Sequence, residues 1–333
     1  MQNLKKKGEC GKISEKTERE VKKMITFENG CKDPFFNQAF EEYVFEHFQG
    51  GDIFFTWQNS PAVIVGQNQN IYREVDILKL SEKNIPVVRR MTGGGTVYHD
   101  LGNINYTFIS NSDQNLSYDR FLNPIISALC ALGLNAHKNS VCDIAIDGLK
   151  ISGSAQRTCK GRVLHHGTLL FDCDLSLLDY LTAKNKNQSI DTKGTLSTVS
   201  RVTNILDHLK EKMTVSEFEK YLKNAVAKDA EIEQLSDEDI EGINTLCLEK
   251  YHSDDWTYGK TPSFIFKKQD IFKGQKITVE YSAKKGRITE GFITCEGIEN
   301  GRVDLAGQSI AFENLKRISA ALCGNDDLIK YLV

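Results

Sequence analysis

The chain has 333 residues, of which 40% are hydrophobic and 26% charged, and its formal net charge is −3. This length accommodates one large domain with a small one, or two medium-sized domains. The slightly acidic balance excludes a general electrostatic attraction to nucleic acid or anionic membranes, and no apolar run reaches the roughly 18 residues of a membrane-spanning helix, so we expect neither partner.

The N-terminus and the cysteines bear on the cellular compartment. Residues 1–23 are polar and rich in Lys and Glu, which predicts a disordered extension, and their glutamates disfavour a mitochondrial transit peptide. No secretory signal pattern begins the sequence. The nine cysteines are scattered without a CxxC pair, so we predict no metal site and a reducing, cytoplasmic location.

The first foldable segments alternate helices and strands. Asp33 is a good N-cap and Pro34 suits the first helical position, so a helix is predicted at about 34–48. The apolar runs 53–57 and 62–66 are separated by Asn-Ser-Pro and predict two strands joined by a turn. The pattern then predicts a strand at 103–109 and a helix at about 118–132.

The segment 142–152 predicts a β-hairpin. Asp147 and Gly148 form a type I′ turn signal between two alternating runs, which would place Ile144 opposite Ile151. Strand alternation then separates an apolar face from a face with room for a polar group. That second face carries Asp143, Ala145, Lys150 and Ser152.

The rest of the chain predicts helices followed by short strands. Helices are expected at about 214–227 and 236–250, and a segment rich in Trp, Tyr, Gly and Pro then interrupts the pattern. Strand-like runs follow at 277–282, 287–295 and 302–306. We therefore predict a disordered extension (1–23), a main domain (24–250), a linker (251–262) and a small α+β domain (263–333).

A glycine-rich motif is the strongest local signal. Arg89 and Arg90 precede Gly93, Gly94 and Gly95, which are called the glycine loop below. Consecutive glycines expose backbone N–H groups and tolerate positive φ, so the loop could cup an anion. The arginines add positive charge suited to carboxylate or phosphate. The alternative is a tight turn beside a solvated arginine pair.

Two further motifs carry polar side chains on predicted strands. Lys150 is followed by small residues as far as Ala155, which suits a lysine that points into a crowded polar site; alternatively, it is an edge-strand lysine that limits aggregation. His165 and His166 are adjacent, so their side chains point to opposite faces and cannot easily share a metal ion. A single functional or buried histidine is the preferred interpretation.

These motifs together resemble the lipoate-protein ligase A family. The string RRMTGGGTVYHDLGNINYTF (89–108) is similar to the family signature, with each fixed position present. KISGSAQR (150–157) and LHHGTLL (164–170) resemble two further family elements. The segments TWQNSPAVIVGQNQN, SRVTNIL and DWTYGKTPSF extend the resemblance over roughly residues 24–270, in family order.

The resemblance implies a fold and a reaction. The fold is α+β, with a mixed β-sheet flanked by helices as in the biotinyl/lipoyl protein ligase superfamily, and residues 263–333 correspond to an accessory domain. The reaction is activation of lipoate by ATP, with Mg²⁺, to lipoyl-AMP, followed by transfer of the lipoyl group to a lysine. The implied acceptors are lipoyl domains of dehydrogenase acyltransferase subunits and the glycine-cleavage H protein.

The resemblance also implies which residues form the site. Lys150 is implied to be catalytic, because it would offset the charge that develops on the carboxylate and the α-phosphate. Apolar side chains around the glycine loop are implied to line a slot for the aliphatic chain and the dithiolane. The residues implied to bind ATP and the lipoyl-adenylate are Arg90, Thr92, Gly93, Gly94, Gly95, Thr96, Val97, Tyr98, His99, Asn103, Asp143, Lys150, Ser152, Ala155 and His166.

One position departs from the family pattern. Cys142 precedes Asp143, where the family often has asparagine. Relatives that transfer lipoyl or octanoyl groups without ATP carry the acyl chain on a cysteine, so an ATP-independent transferase that uses Cys142 is an alternative. The preferred interpretation is a small hydrophobic residue beside the site of a ligase. A non-catalytic lipoate-binding protein is a third hypothesis, against which Lys150 and the glycine loop weigh.

Overall fold

The computed structural model describes residues 23–49, 51–111, 117–182, 188–198, 200–296, 302–323 and 328–333. Apart from Lys23, the predicted N-terminal extension lies outside these residues and stays a prediction. Helices and strands alternate along the described chain, and its strands form three sheets.

The helix at residues 34–47 begins at the capping residue that the sequence indicates. The Asp33 carboxylate accepts the backbone N–H of Phe35, and Pro34 lies in the first turn. The four predicted helices are confirmed, and the fourth continues into a π-helical turn at Cys247–Tyr251. Among the described residues, no helix combines the length and apolar character needed to cross a membrane. The α-helices are α1 (Pro34–His47), α2 (Ile71–Glu74), α3 (Ile77–Glu82), α4 (Asp119–Ala131), α5 (Leu175–Thr182), α6 (Ile205–His208), α7 (Val215–Ala227), α8 (Asp237–Leu246), α9 (Asp254–Thr257), α10 (Phe312–Cys323) and α11 (Ile329–Leu332).

The strands occupy segments in which the sequence alternates or runs apolar. They are β1 (Ile25–Thr26), β2 (Ile53–Trp57), β3 (Ala62–Val65), β4 (Val87–Arg89), β5 (Val97–His99), β6 (Asn103–Asn111), β7 (Ala136–Lys138), β8 (Asp143–Ile146), β9 (Leu149–Cys159), β10 (Arg162–Leu170), β11 (Gln188–Thr192), β12 (Glu231–Ile232), β13 (Phe264–Phe272), β14 (Gln275–Lys284), β15 (Arg287–Cys295) and β16 (Arg302–Asp304). The strands predicted at 103–109, 277–282 and 287–295 are confirmed as parts of β6, β14 and β15. The run 302–306 begins with β16, so a strand is confirmed there too.

The largest sheet carries helices on both faces. Its order is β12-β1-β2-β6-β10-β9-β8-β7, and it is mixed because β1 runs parallel to β2 and β12 while the other pairs are antiparallel. Adjacent residues of β2 point to opposite faces, so Phe54 shares a core with α4 and α7, and Phe55 shares one with α1 and α8. Burial of each phenylalanine contributes roughly 1.5–3 kcal/mol. The predicted α+β class is confirmed.

The two strands predicted at 53–57 and 62–66 are confirmed, but they do not pair with each other. Both runs form strands, but β2 belongs to the largest sheet and β3 to the three-stranded sheet β4-β3-β5. Between them, the side-chain oxygen of Asn59 accepts a hydrogen bond from the Asn37 amide at 2.8 Å, which ties the connection to α1. Every residue of both strands is buried, so neither run has the polar alternation that would have indicated its sheet.

The hairpin of β8 and β9 forms around the predicted turn, with a different register. Asp147 and Gly148 have φ values of 49° and 80°, as a type I′ turn requires. The observed pairs are Asp143 with Gly153, Ile144 with Ser152, Ala145 with Lys150 and Ile146 with Leu149. The predicted pairing of Ile144 with Ile151 is wrong because Ile151 is the extra residue of a β-bulge, which alternation alone does not reveal.

A five-stranded sheet, β11-β13-β14-β15-β16, contains the C-terminal strands of the described chain. Its edge strand β11 precedes the predicted linker and pairs antiparallel with β13. This sheet and the three-stranded sheet share one hydrophobic core, in which Val63 and Val65 pack with Phe264 and Tyr281. The segments before and after the predicted linker are joined by the pairing of β11 with β13 and by this shared core. The predicted domain limits stay a prediction.

Candidate functional site

A cavity of about 460 Å³ lies between the three-stranded sheet and the largest sheet. Its walls are the glycine loop, the start of β8 and β9, strand β10 and residues 195–198. The cavity therefore brings together segments that are far apart in the sequence. The predicted site residues that line it are Arg90, Gly94, Gly95, Thr96, Val97, His99, Asp143, Lys150, Ala155 and His166.

The other predicted site residues do not line the cavity. Thr92 and the carbonyl of Gly93 are hydrogen-bonded to Arg90, so they support the wall. Tyr98 packs into the core shared with the five-stranded sheet. Asn103 is fully buried and donates to the side chain of Asn105 at 2.9 Å, and Ser152 is fully buried opposite Ile144.

Arg90 holds the glycine loop in shape. Its Nη2 donates to the carbonyl oxygens of Gly93 at 2.6 Å and Gly95 at 2.7 Å, and its Nη1 donates to that of Ile64 at 3.2 Å. Gly94, between the two loop carbonyls, has a φ of +91°, a conformation that favours glycine. Burial lowers the pKa of Arg90 to about 10, so it remains a cation at neutral pH.

Arg89 does not reach the cavity, so the expectation that it offers charge to an anion, or is solvated, is wrong. It is fully buried, and its Nη1 donates to the carbonyl oxygens of Gly66 at 2.9 Å, Gln67 at 3.1 Å and Gln69 at 2.9 Å. Its Nε donates to the carbonyl of Thr257 at 2.8 Å. Arg89 is the last residue of β4 and Arg90 follows it; their side chains bind different carbonyl groups, and only that of Arg90 lines the cavity.

Lys150 points into the cavity at the start of β9. Its Nζ is 2.9 Å from Asp143 Oδ1, and the two side chains are 23% and 15% exposed. A Cβ added to Gly153 would lie 3.2 Å from Nζ, so this glycine leaves room for the ammonium. Lys150 pairs with Ala145 of β8 on one side and bridges to Val202 on the other, so the alternative of an edge-strand lysine is wrong.

A buried carboxylate orients the glycine loop through a histidine. Glu41 is fully buried. Its Oε1 accepts a hydrogen bond from the hydroxyl of Thr107 at 2.6 Å, and its Oε2 lies 2.8 Å from His166 Nδ1. When Nδ1–H donates to this carboxylate, His166 Nε2 accepts the hydroxyl of Thr92 at 2.8 Å. Thr92 Oγ1 also accepts from Arg90 Nε at 3.0 Å, so the network reaches the side chain that holds the loop.

Two further histidines are held neutral by their surroundings. Burial, and then the charge of Arg90, lower the pKa of His99 to about 3, and its Nδ1 lies 3.0 Å from the Asn59 amide nitrogen. Burial also lowers the pKa of His165 to about 3, where the ring stacks on Phe121 with centroids 4.9 Å apart. His165 and His166 point to opposite faces, as predicted.

Cys142 lies on the cavity wall beside Asp143. Its Sγ is 3.5 Å from Asp143 Oδ1. Burial, and then the charge and hydrogen bond of Asp143, raise the pKa of the thiol. A cysteine nucleophile reacts as the thiolate, so a raised pKa works against the role of acyl carrier.

Several residues of the cavity wall were not predicted from the sequence. Residues 195–198 form one side of the cavity, yet they contain no glycine, histidine or charge to mark them. Trp57 offered a signal, since a buried indole needs a partner for its N–H, and it donates to Thr107 at 2.9 Å. The other lining residues not predicted are Gln38, Ile64, Asn105, Ser140, Gly153, Ser154, Gly167 and Thr168.

Known proteins match most of the chain. The family model of the lipoyl protein ligase A/B catalytic domain matches residues 33–227. Lipoate–protein ligase 1 of Staphylococcus aureus (strain Mu50) is 37% identical over 265 residues, which are 78% of this chain and 80% of that protein. A Thermoplasma acidophilum protein solved with bound lipoic acid is 25% identical, with a TM-score of 0.61 over 71% of this chain and 99% of its own. A lipoate-protein ligase A solved with ATP is 25% identical, with a TM-score of 0.60 over 71% and 98%.

Proposed function

Since the chain belongs to the lipoyl protein ligase A/B family and is a lipoate-protein ligase, we propose that it uses ATP to convert lipoate to lipoyl-AMP and then transfers the lipoyl group to an acceptor lysine. The observation that carries the proposal is the position of Lys150 Nζ in a cavity that also presents the glycine loop. The relatives solved with lipoic acid and with ATP support binding of both substrates.

The apolar side of the cavity suits the aliphatic part of lipoate. Trp57, Ile64, Val97 and Ala155 line it. Its volume of about 460 Å³ falls within the roughly 300–1,000 Å³ typical of small-molecule sites. The carboxylate of lipoate would then be directed to Lys150, the cation on the polar side.

Lys150 serves both steps of the proposed reaction. In the first step, a carboxylate oxygen of lipoate bonds to the α-phosphorus and the bond to pyrophosphate breaks. In the second, the acceptor amine bonds to the acyl carbon, the bond to AMP breaks, and the amine proton passes to solvent. Negative charge grows on oxygen atoms in both steps, and the ammonium offsets it. Asp143, at 2.9 Å, holds the ammonium in place.

Asp143 also fits the proposed Mg²⁺. This ion usually binds proteins through one or two carboxylates while substrate phosphates and water fill its other positions. Asp143 offers such a carboxylate on the cavity wall. Asp143 would be the residue that holds the ion, which would reduce the negative charge of the phosphates when ATP is bound.

The proposed acceptors are lipoyl domains of dehydrogenase acyltransferase subunits and the glycine-cleavage H protein. The test incubates the purified protein with lipoate, Mg-ATP and each apo acceptor, and measures intact mass. A gain of one lipoyl group that requires ATP is the expected result. A gain from a lipoylated donor domain without ATP would instead support the transferase, and no gain under either condition would support a non-catalytic lipoate-binding protein.

We expect Cys142→Ser to retain most of the ATP-dependent ligation. The adenylate already activates the acyl group, so a thioester step adds nothing, and the raised pKa of the thiol disfavours the thiolate. The measurement is the rate of acceptor lipoylation. A hydroxylamine-sensitive acyl adduct on Cys142 of the wild-type protein, formed from a donor domain without ATP, would contradict this expectation.

We expect Glu41→Gln to fold but to lose about 10- to 100-fold in pyrophosphate release, the usual loss for a hydrogen bond to a charged group. The amide can donate to His166 Nδ1, which would move the ring proton to Nε2 and disrupt the bond from Thr92. Nitrogen NMR of His166 reports the tautomer directly. Glu46→Gln is the control, because Glu46 is exposed on the same helix α1. An unchanged tautomer and rate would rule out this role.

A further inference from the structure

One wall of the cavity is a short segment laid across the glycine loop. Residues 193–198, called the strap below, follow β11, and four of them, Thr195 to Thr198, line the cavity. Ser197 touches the glycine loop itself: a Cβ built on Gly95 would lie 3.2 Å from Ser197 Oγ and 3.3 Å from its Cα. The position of the strap therefore determines the shape of the cavity next to Gly95.

The hydroxyl of Ser197 is the centre of the strap's contacts. It accepts the backbone N–H of Thr96 at 2.8 Å and the side-chain amide of Gln69 at 3.1 Å. It donates its own proton to Glu74 Oε2. One donor and two acceptor positions are all that a serine hydroxyl offers, so this group is fully used.

Glu74 supplies the acceptor that the strap requires. It ends α2, is 7% exposed, and its Oε2 also accepts the backbone N–H of Ser197 at 3.2 Å. Both hydrogen bonds from Ser197 therefore converge on a single carboxylate oxygen. Removing that oxygen leaves the half-buried hydroxyl and backbone N–H of Ser197 without their acceptor, which weakens the seating of the strap.

Arg89 holds in place the backbone of residues 66–69, on which the strap packs. Its guanidinium holds the carbonyl oxygens of Gly66, Gln67 and Gln69. Within this segment, Gln69 Oε1 accepts hydrogen bonds from the backbone N–H of Gly66 at 2.8 Å and from Thr96 Oγ1 at 2.9 Å. The carbonyl of Asn68 accepts the backbone N–H of Thr195, in the strap, at 3.0 Å. The strap is therefore hydrogen-bonded to two features: the backbone of residues 66–69, through Thr195, and the carboxylate of Glu74, through Ser197.

We propose that Glu74 is a positioning residue that seats the strap on the glycine loop, through Ser197, and so completes the site that binds lipoate and ATP. It acts through Ser197 and Thr96 and touches neither substrate. This proposal deepens the proposed function and rests on it. The charge of Glu74 is not what the strap needs: because both hydrogen bonds end on one oxygen, the carbonyl oxygen of glutamine can replace it.

The test compares Glu74→Ala, Glu74→Gln and Ser197→Ala with the full-length wild-type chain. Two readouts are used: tryptic cleavage after Lys193 in the ligand-free protein, with cleavage after Lys160 as internal reference, and the KM values for lipoate and ATP in pyrophosphate release. Lys193 lies in the strap, and Lys160 lies in the turn between β9 and β10. Glu82→Ala is the control, since Glu82 is exposed at the end of the neighbouring helix α3.

Glu74→Ala is expected to accelerate cleavage after Lys193 and to raise both KM values roughly tenfold or more. Ser197→Ala should change both readouts in the same direction, and the double variant should lose less than the sum of the two single losses, because both substitutions remove the hydrogen bond between the Ser197 hydroxyl and Glu74. Glu74→Gln should stay within about threefold of wild type in each readout. Glu82→Ala should leave both readouts unchanged.

The proposal would be overturned if Glu74→Ala showed the wild-type rate of cleavage and wild-type KM values. It would also be overturned if Glu74→Gln raised the cleavage rate and the KM values as much as Glu74→Ala does. If Glu74→Ala does not fold, Ser197→Ala decides, since it leaves α2 intact, and unchanged cleavage in that variant would overturn the proposal. Failure of the proposed function is seen separately, as absence of lipoyl-AMP formation by the wild-type protein. The cleavage comparison needs no activity and tests the strap in either case.

Discussion

Lys150→Ala is expected to lower the rate of lipoyl-AMP formation about 10²- to 10³-fold, or about 3–4 kcal/mol of transition-state stabilisation. The Lys150 ammonium lies on the cavity wall, with Nζ 2.9 Å from Asp143 Oδ1. The backbone of residue 150 is held independently of the side chain, because its N–H donates to the carbonyl of Arg201 at 2.9 Å and its carbonyl accepts the N–H of Thr203 at 3.1 Å. Pyrophosphate release measures the loss.

The control for this variant is Lys138→Ala on the neighbouring part of the same sheet. Lys138 forms an exposed ion pair with Asp119, and solvent screening leaves such pairs with little effect on stability. We expect wild-type activity from this variant and an unchanged midpoint of thermal unfolding from both. Pyrophosphate release near the wild-type rate in a folded Lys150→Ala protein would rule out the catalytic role.

Gly66→Ala is expected to abolish most of the activity by displacing the glycine loop. A Cβ at this position would lie 2.2 Å from the carbonyl oxygen of Gly94 and 3.1 Å from its carbonyl carbon, and backbone atoms cannot rotate out of the way as a side chain can. Relief of the overlap requires a shift of about 1 Å, and misplacement on that scale costs on the order of 10²-fold in rate. The overlap should also lower stability by about 1–3 kcal/mol.

Gly30→Ala is the matched control, because an added Cβ there would have no atom within 4 Å. Pyrophosphate release and thermal unfolding are measured on both variants. We expect the control to match the wild type in both, and Gly66→Ala to lose far more activity than its loss of stability explains. Full activity of Gly66→Ala would show that the approach of residue 66 to Gly94 is not needed for the site.

The parts of the site that a single segment builds could be predicted from the sequence. Three consecutive glycines and the Asp147–Gly148 turn are local signals, because backbone conformation limits which residues fit there. Lys150 follows from the turn, which fixes its place on β9. Two adjacent arginines looked equivalent, however; both are buried, but only Arg90 lines the cavity, whereas Arg89 binds backbone carbonyl groups away from it.

Contacts between distant segments could not be predicted in this way. Glu74 and Ser197 are 123 residues apart, and Glu41 and His166 are 125 residues apart. Neither carboxylate differs in its local sequence from an ordinary surface glutamate. The same limit applies to β2 and β3, which were predicted as strands without a sheet: strands that are buried along their whole length carry no mark of the sheet to which they belong.

Strand β11 has a consequence for the exchange of parts between related proteins. It comes before the predicted linker, yet it hydrogen-bonds to β13, and the core beneath it joins Val63 and Val65 to Phe264. A chimaera that replaced residues 263–333 with the equivalent part of a relative would have to supply a new partner for β11 and a surface that fits the two valines. Substitutions in the first part of the chain are therefore constrained by residues in the second, and the two must diverge together.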